Sequence, residues 1–165
     1  EQGPIVAGSV TATVRQAEAN CEEFRAVGQG GAIWRGRISA YHDRSSGISH
    51  SRSLTIHDDG RRSVSIEIED EVRCSDSNEC TGAAVFLLDP AWQAKNEGDG
   101  SVMLHGRGGR GRFRITEGMG ALRIERRWIS QEYGSSCETQ AVVVEIAGAA
   151  IARSVVRIEL KANDS

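Results

Sequence analysis

Lysine is nearly absent from this chain, and so are proline, aromatic residues and any long apolar run. Lys95 and Lys161 are the only lysines among 20 basic residues, so arginine carries almost all of the positive charge. GC-rich coding produces such a bias, but arginine also suits planar, forked contacts to carboxylate, sulfate or phosphate. The two prolines, Pro4 and Pro90, form no Pro-rich linker that would divide the 165 residues, and a single domain over 1–165 is expected. The longest apolar stretch, 141–152, is interrupted by Glu145 and falls far short of the roughly 20 residues of a membrane helix, so the chain is not expected to span a bilayer. No charged-then-apolar presequence begins at Glu1, so an exported form is expected to have lost it already. A formal net charge of -3 argues against nucleic acid as a partner of the whole molecule.

Catalytic and cofactor signatures are equally scarce. There is no H-E-x-x-H, and His42, His50, His57 and His105 are too scattered to suggest a metal site. His42-Asp43 and His57-Asp58 set imidazole beside carboxylate, yet neighbouring strand residues point to opposite faces. Ser49 and Ser51 flank His50 in a Ser/Gly-rich segment read as a loop, without the G-x-S-x-G elbow that presents a nucleophile. Gly106, Gly108 and Gly111 spell a literal G-x-G-x-x-G, but a strand-like segment follows where a nucleotide site needs a helix. Residues 105–112 are therefore read as a loop. No cofactor and no metal are expected, and the chain is read as non-catalytic.

What the chain does have is four cysteines among short segments of alternating polarity. Cys74-x5-Cys80 and the wide placement of Cys21 and Cys137 do not match zinc spacing, so two disulfides from an oxidising compartment are expected. Of the three possible pairings, Cys74 with Cys80 and Cys21 with Cys137 give a short loop clamp and a long-range staple. In the chain-entropy description the long one is worth about 4 kcal/mol and the short one roughly 2 to 3. The protein is accordingly expected to be secreted or periplasmic.

Period-two segments recur along the chain with no sustained 3.6-residue stripe, which predicts an all-β fold. Candidate strands lie at 10–15, 33–41, 54–57, 64–69, 83–88, 101–105, 112–116, 121–128, 140–147 and 153–160, with one helical turn at 91–95. The segment 83–88 reads as a strand covered on both faces. Asp58-Asp59-Gly60 between two alternating runs marks a hairpin that turns Val64, Ile66 and Ile68 inward and Ser65, Glu67 and Glu69 outward. About ten short strands fit an antiparallel β-sandwich or jelly roll.

Three surface features are candidates for function. Arg112, Arg114, Arg123 and Arg127 share one parity on two segments joined by the turn at 117–120, which predicts an outward arginine face for an anionic glycan or an acidic protein. Trp92, beside Pro90, is the tryptophan expected to contact a ligand, while Trp34 and Trp128 are expected to pack inside. Glu67, Glu69, Asp70 and Glu71, with Asp76, Asn78 and Glu79, form an acidic stretch that lacks the ordered calcium-loop pattern. The sequence therefore suggests a secreted binding module for an anionic glycan or a protein partner. An adhesion subunit assembling through strand edges, or a small hydrolase whose site forms only in three dimensions, are the alternatives.

Overall fold

The computed structural model describes residues 18–28, 30–39, 48–74, 79–118, 120–130 and 135–163. Among them run eleven strands: β1 Glu18–Val27, β2 Gly31–Ser39, β3 Ile48–Asp58, β4 Ser63–Cys74, β5 Cys80–Leu87, β6 Trp92–Asn96, β7 Val102–Gly106, β8 Gly109–Glu117, β9 Leu122–Ile129, β10 Cys137–Gly148 and β11 Ile151–Ala162. They form an eight-stranded sheet in the order β1-β2-β3-β4-β11-β8-β7-β6 and a three-stranded sheet in the order β5-β10-β9. Every pairing is antiparallel. The expected all-β sandwich is thus present, while the segment 10–15 lies outside the described residues.

The two sheets meet where the chain is most apolar. Val142, Val144 and Ile146 of β10 face Val102, Leu104, Phe113 and Val156 of the large sheet, and Phe86 meets Phe113 edge to face with ring centroids 5.1 Å apart. A disulfide joins Cys74, the last residue of β4, to Cys80, the first of β5, with Cα atoms 5.8 Å apart, so it clamps one sheet to the other at a corner. The small sheet packs on β4, β11 and β6, leaving β1 and β2 beyond its reach. Burial fades accordingly. Phe113 is 1% exposed and Ile68 5%, whereas Phe24 on β1 is 76% exposed.

Several expectations are corrected. Residues 91–95 form no helical turn: Asp89 accepts the amide protons of Ala91 and Trp92, and the chain then extends as β6 alongside β7. A sheet partner outweighs the weak helical preference of so short a segment. The Gly/Arg segment 105–112 is mostly strand, with Gly106 paired to Gly109 across a tight turn. Its glycines answer to close approach, since a Cβ on Gly109 would lie 2.4 Å from the Lys161 carbonyl oxygen. His50 sits on β3 and not in a loop. The segment 83–88 is covered on one face only: Ala84, Phe86 and Leu88 turn to the core, while Val85, 44% exposed, and Leu87, 56% exposed, lie on the face of the small sheet turned away from the large one. Trp128 is 69% exposed near the end of β9, past the reach of the core. Cys21 and Cys137 are both free thiols; one lies at a bulge in the outermost β1 and the other opens β10 in the opposite sheet.

The parity predicted for β4 holds, with partial cover dividing its apolar row: Ile68 is buried, while Val64 and Ile66 are only half-buried. Replacing Ile68 by alanine is expected to destabilise the fold by about 2 to 5 kcal/mol. Ile66→Ala should lose clearly less. Urea denaturation of the two variants measures the difference, and equal losses would contradict the uneven cover.

Candidate functional site

The four arginines singled out in the sequence do not form one patch. β8 pairs with β7 and β11 in the large sheet, whereas β9 pairs with β10 in the small one. The connection between them is a sheet switch and not a hairpin turn. A Cβ on Gly118 would lie 2.2 Å from the Arg153 carbonyl oxygen and one on Gly120 would lie 2.1 Å from that of Glu145, so bare glycines let the chain slip past β11 and then β10. The guanidiniums are also already engaged. Arg112 donates to Asp99 at 2.9 Å and to Ser101 at 3.1 Å, and Arg114 donates to Glu159 at 3.0 Å. Arg123 and Arg127 flank Glu125, and Arg123 reaches Glu145 at 3.1 Å.

The acidic stretch divides in the same way. Glu67, Glu69 and Glu71 point outward to Arg157 at 2.8 Å, Arg153 at 2.7 Å and Arg73 at 2.6 Å. Asp76 and Asn78, like His42 and Asp43, lie outside the described residues. His57 and His105 are exposed strand residues, and Asp58 binds the Gly60 amide at 2.8 Å.

Asp70 points the other way, and there the structure assembles a site that sequence reading missed. Its parity sets it on the inner row with Ile66, Ile68 and Val72, directly across from Arg52 of β3. The Asp70 side chain is wholly buried and takes three hydrogen bonds: His50 Nε2 at 2.7 Å and Arg52 Nε at 2.7 Å, both to Oδ1, and the Arg52 terminal nitrogen at 3.0 Å to Oδ2. Burial alone would raise the Asp70 pKa. The bonds from His50 and Arg52, with the positive charge of Arg52, overcome that and hold it below the ordinary carboxylate value. The Arg52 guanidinium also lies 5.3 Å from the Phe86 ring centroid, tying the fork to the core.

An ionised carboxylate only accepts, so the His50 Nε2 that faces Asp70 carries a proton. His50 and Arg52 line a depression of about 440 Å³ together with Cys21, Trp34, Gly36 and Ile38. The outer edge of the Trp34 ring lies against Gly36, where a Cβ would come within 2.5 Å of it. The cleft thus offers an oriented imidazole, a guanidinium edge and an aromatic wall on the part of the inner face that the small sheet leaves open. A second depression, of about 450 Å³, lies at the end of the sandwich and is lined in part by Trp92.

Because the folded pKa of Asp70 is depressed, its contribution to stability is complete above the ordinary carboxylate range and is lost as pH falls through the folded value. Asp70→Asn should therefore lower stability at neutral pH by about 2 to 3 kcal/mol, moderated by the partial exposure of Arg52 and His50, and should flatten the acid limb of Tm against pH. Thermal melts from pH 2 to 7 test this. An unchanged acid limb would show that the fork does not stabilise the fold.

Residues 7–158 match the family described as Heparinase II/III-like, C-terminal. No curated protein matches the chain. Among solved structures, a heparan sulfate lyase HepC mutant from Pedobacter heparinus superposes with TM-score 0.70 at 13% identity, covering 90% of this chain and 22% of that one. A heparinase III described as the BT4657 gene product, with methylated lysines, gives TM-score 0.67 at 14% identity, covering 88% and 22%. At such identities the likeness is one of fold, and the chain spans about a fifth of the length of those lyases. With the match running through nearly the whole sandwich, this chain belongs to the heparinase II/III-like C-terminal family.

Proposed function

We propose that the chain is the β-sandwich module of a longer, exported protein that engages an anionic polysaccharide bearing uronate or sulfate groups. The observation that carries this reading is the family match over residues 7–158, whose structural relatives include heparan sulfate lyases. The open cleft agrees with it in chemistry. The Arg52 guanidinium keeps N–H groups beyond those it gives Asp70 and suits a carboxylate or sulfate, and Trp34 provides an apolar aromatic face for a sugar ring. Asp70 holds Arg52 in place, which lowers the entropy lost on binding. The Cys74–Cys80 bridge is consistent with an oxidising, extracytoplasmic compartment.

Assembly through strand edges is favoured by a separate observation, the exposed Val85 and Leu87 on the edge strand β5. Concentration-dependent size-exclusion chromatography distinguishes it, since an edge-assembling subunit elutes larger as concentration rises.

Titration calorimetry of the chain against heparan sulfate oligosaccharides, a uronate homopolymer and a neutral glucan tests the main reading. Binding to the anionic ligands that weakens as salt rises is the expected result. Equal affinity for the neutral glucan, or no binding to any anionic glycan, would overturn it.

A further inference from the structure

Among the described residues, most of the cations without an ion-pair partner gather at one end of the sandwich. Three segments meet there: the β3–β4 hairpin tip, the β7–β8 turn, and the end of β11. Main-chain bonds lock them together, with Ala162 N donating to the Arg62 carbonyl at 3.0 Å and Asn163 N donating to that of Gly108 at 3.1 Å. The Asn163 side chain adds a bond to the Arg107 carbonyl at 3.2 Å. Between these segments lies the depression of about 450 Å³, whose lining includes Trp92, Leu160, the cations Arg62 and Lys161, and one carboxylate, Asp58.

Among the described residues, five cationic ones, Arg61, Arg62, Arg107, Arg110 and Lys161, stand at this end against two carboxylates, Asp58 and Asp59. Unlike the arginines of the sheet faces, none of the five has a carboxylate within ion-pair distance among the described residues, although the charges of Arg61 and Lys161 reach Asp59 and help hold its carboxyl below the ordinary value. The two carboxylates are occupied by the hairpin itself. Asp58 accepts from Gly60 N, and Asp59 accepts from Arg61 N at 2.7 Å and Ser63 N at 3.1 Å.

Two features mark the place as built for more than a turn. Arg62 holds a φ of +76°, the left-handed region where a side chain is disfavoured and glycine is the unstrained choice. Trp92 lies flat across Gly106, where a Cβ would come within 2.6 Å of its ring, so the indole occupies a fixed plane beside the depression. A flat apolar ring next to unpaired cations is the chemistry that receives a sugar carrying a carboxylate or sulfate.

We infer that the Trp92–Arg62–Lys161 depression is a second saccharide subsite, separate from the His50–Arg52 cleft, that takes one acidic sugar unit of the same polysaccharide; the inference rests on the glycan reading above. Arg62→Gly tests it without a folding penalty, because glycine suits the backbone there. With a heparan sulfate octasaccharide as probe, Arg62→Gly and Trp92→Ala are each expected to weaken binding by about tenfold, the loss of one charge-assisted contact or stacked face, with the Tm of Arg62→Gly unchanged or higher. The indole resonance of Trp92 should shift on titration of the wild-type chain. Wild-type binding with both variants unaffected and the indole unmoved would overturn the subsite while leaving the glycan reading intact. Absence of binding by the wild-type chain would overturn both.

Discussion

A three-stranded sheet cannot cover an eight-stranded one, and the rest of the molecule follows from that mismatch. Where β5, β10 and β9 lie over the large sheet the interior is dry, and Val102, Val142, Val144 and Val156 are fully enclosed. Where cover ends, the inner face must continue without the burial that makes an apolar row favourable. The transition runs along β3 and β4. It is bridged by a polar device, the Asp70 carboxylate held by Arg52 and His50, with Arg52 resting on Phe86 at the last edge of the core. A buried carboxylate with three donors is stable only when they are supplied together, and this corner of the sandwich supplies them from two adjacent strands.

The glycines serve close approach more than flexibility. Gly36 and Gly106 each underlie a tryptophan, and Gly118 and Gly120 let the chain leave one sheet for the other while brushing the backbones of β11 and β10. Both depressions owe an aromatic wall to this arrangement, because an indole pressed on bare backbone has little freedom and needs no rigid pocket around it. Scarce aromatics therefore sit at the margins of the core, where Trp34 and Trp92 are half-buried, and the centre is filled by valine, isoleucine and one phenylalanine pair.

Local patterning made the strands legible, including the β3–β4 hairpin with Gly60 at a φ of +66° and the Cys74–Cys80 clamp. Which strands would be neighbours was not legible. Reading 117–120 as a tight turn placed Arg114 and Arg123 side by side, whereas the steric role of Gly118 and Gly120 depends on backbone from β11 and β10, more than 20 residues away. The Asp70 site did leave a trace. Counting parity along β4 sets a carboxylate in the row of Val64, Ile66, Ile68 and Val72, and an acid on an apolar row demands buried partners. Grouping Asp70 with its acidic neighbours in sequence hid that conflict, and its partners His50 and Arg52 lie 20 and 18 residues away.

The pairing of charge separates decoration from recognition. Along the outer face of the large sheet, Arg153, Arg157, Arg114 and Arg73 each meet a glutamate, so arginine there neutralises its neighbours and keeps a broad flat surface from associating with others. Such a ladder presents little net field to a distant anion. At the sandwich end and in the open cleft, by contrast, guanidinium groups are held by backbone geometry or by a single buried acid, and so keep donors for a ligand. An acidic protein attracts an anionic polymer only where its cations are concentrated and its own carboxylates are already engaged. The hairpin tip meets that condition by turning Asp58 and Asp59 into caps for its own amides while Arg61 and Arg62 remain outside ion-pair reach of them.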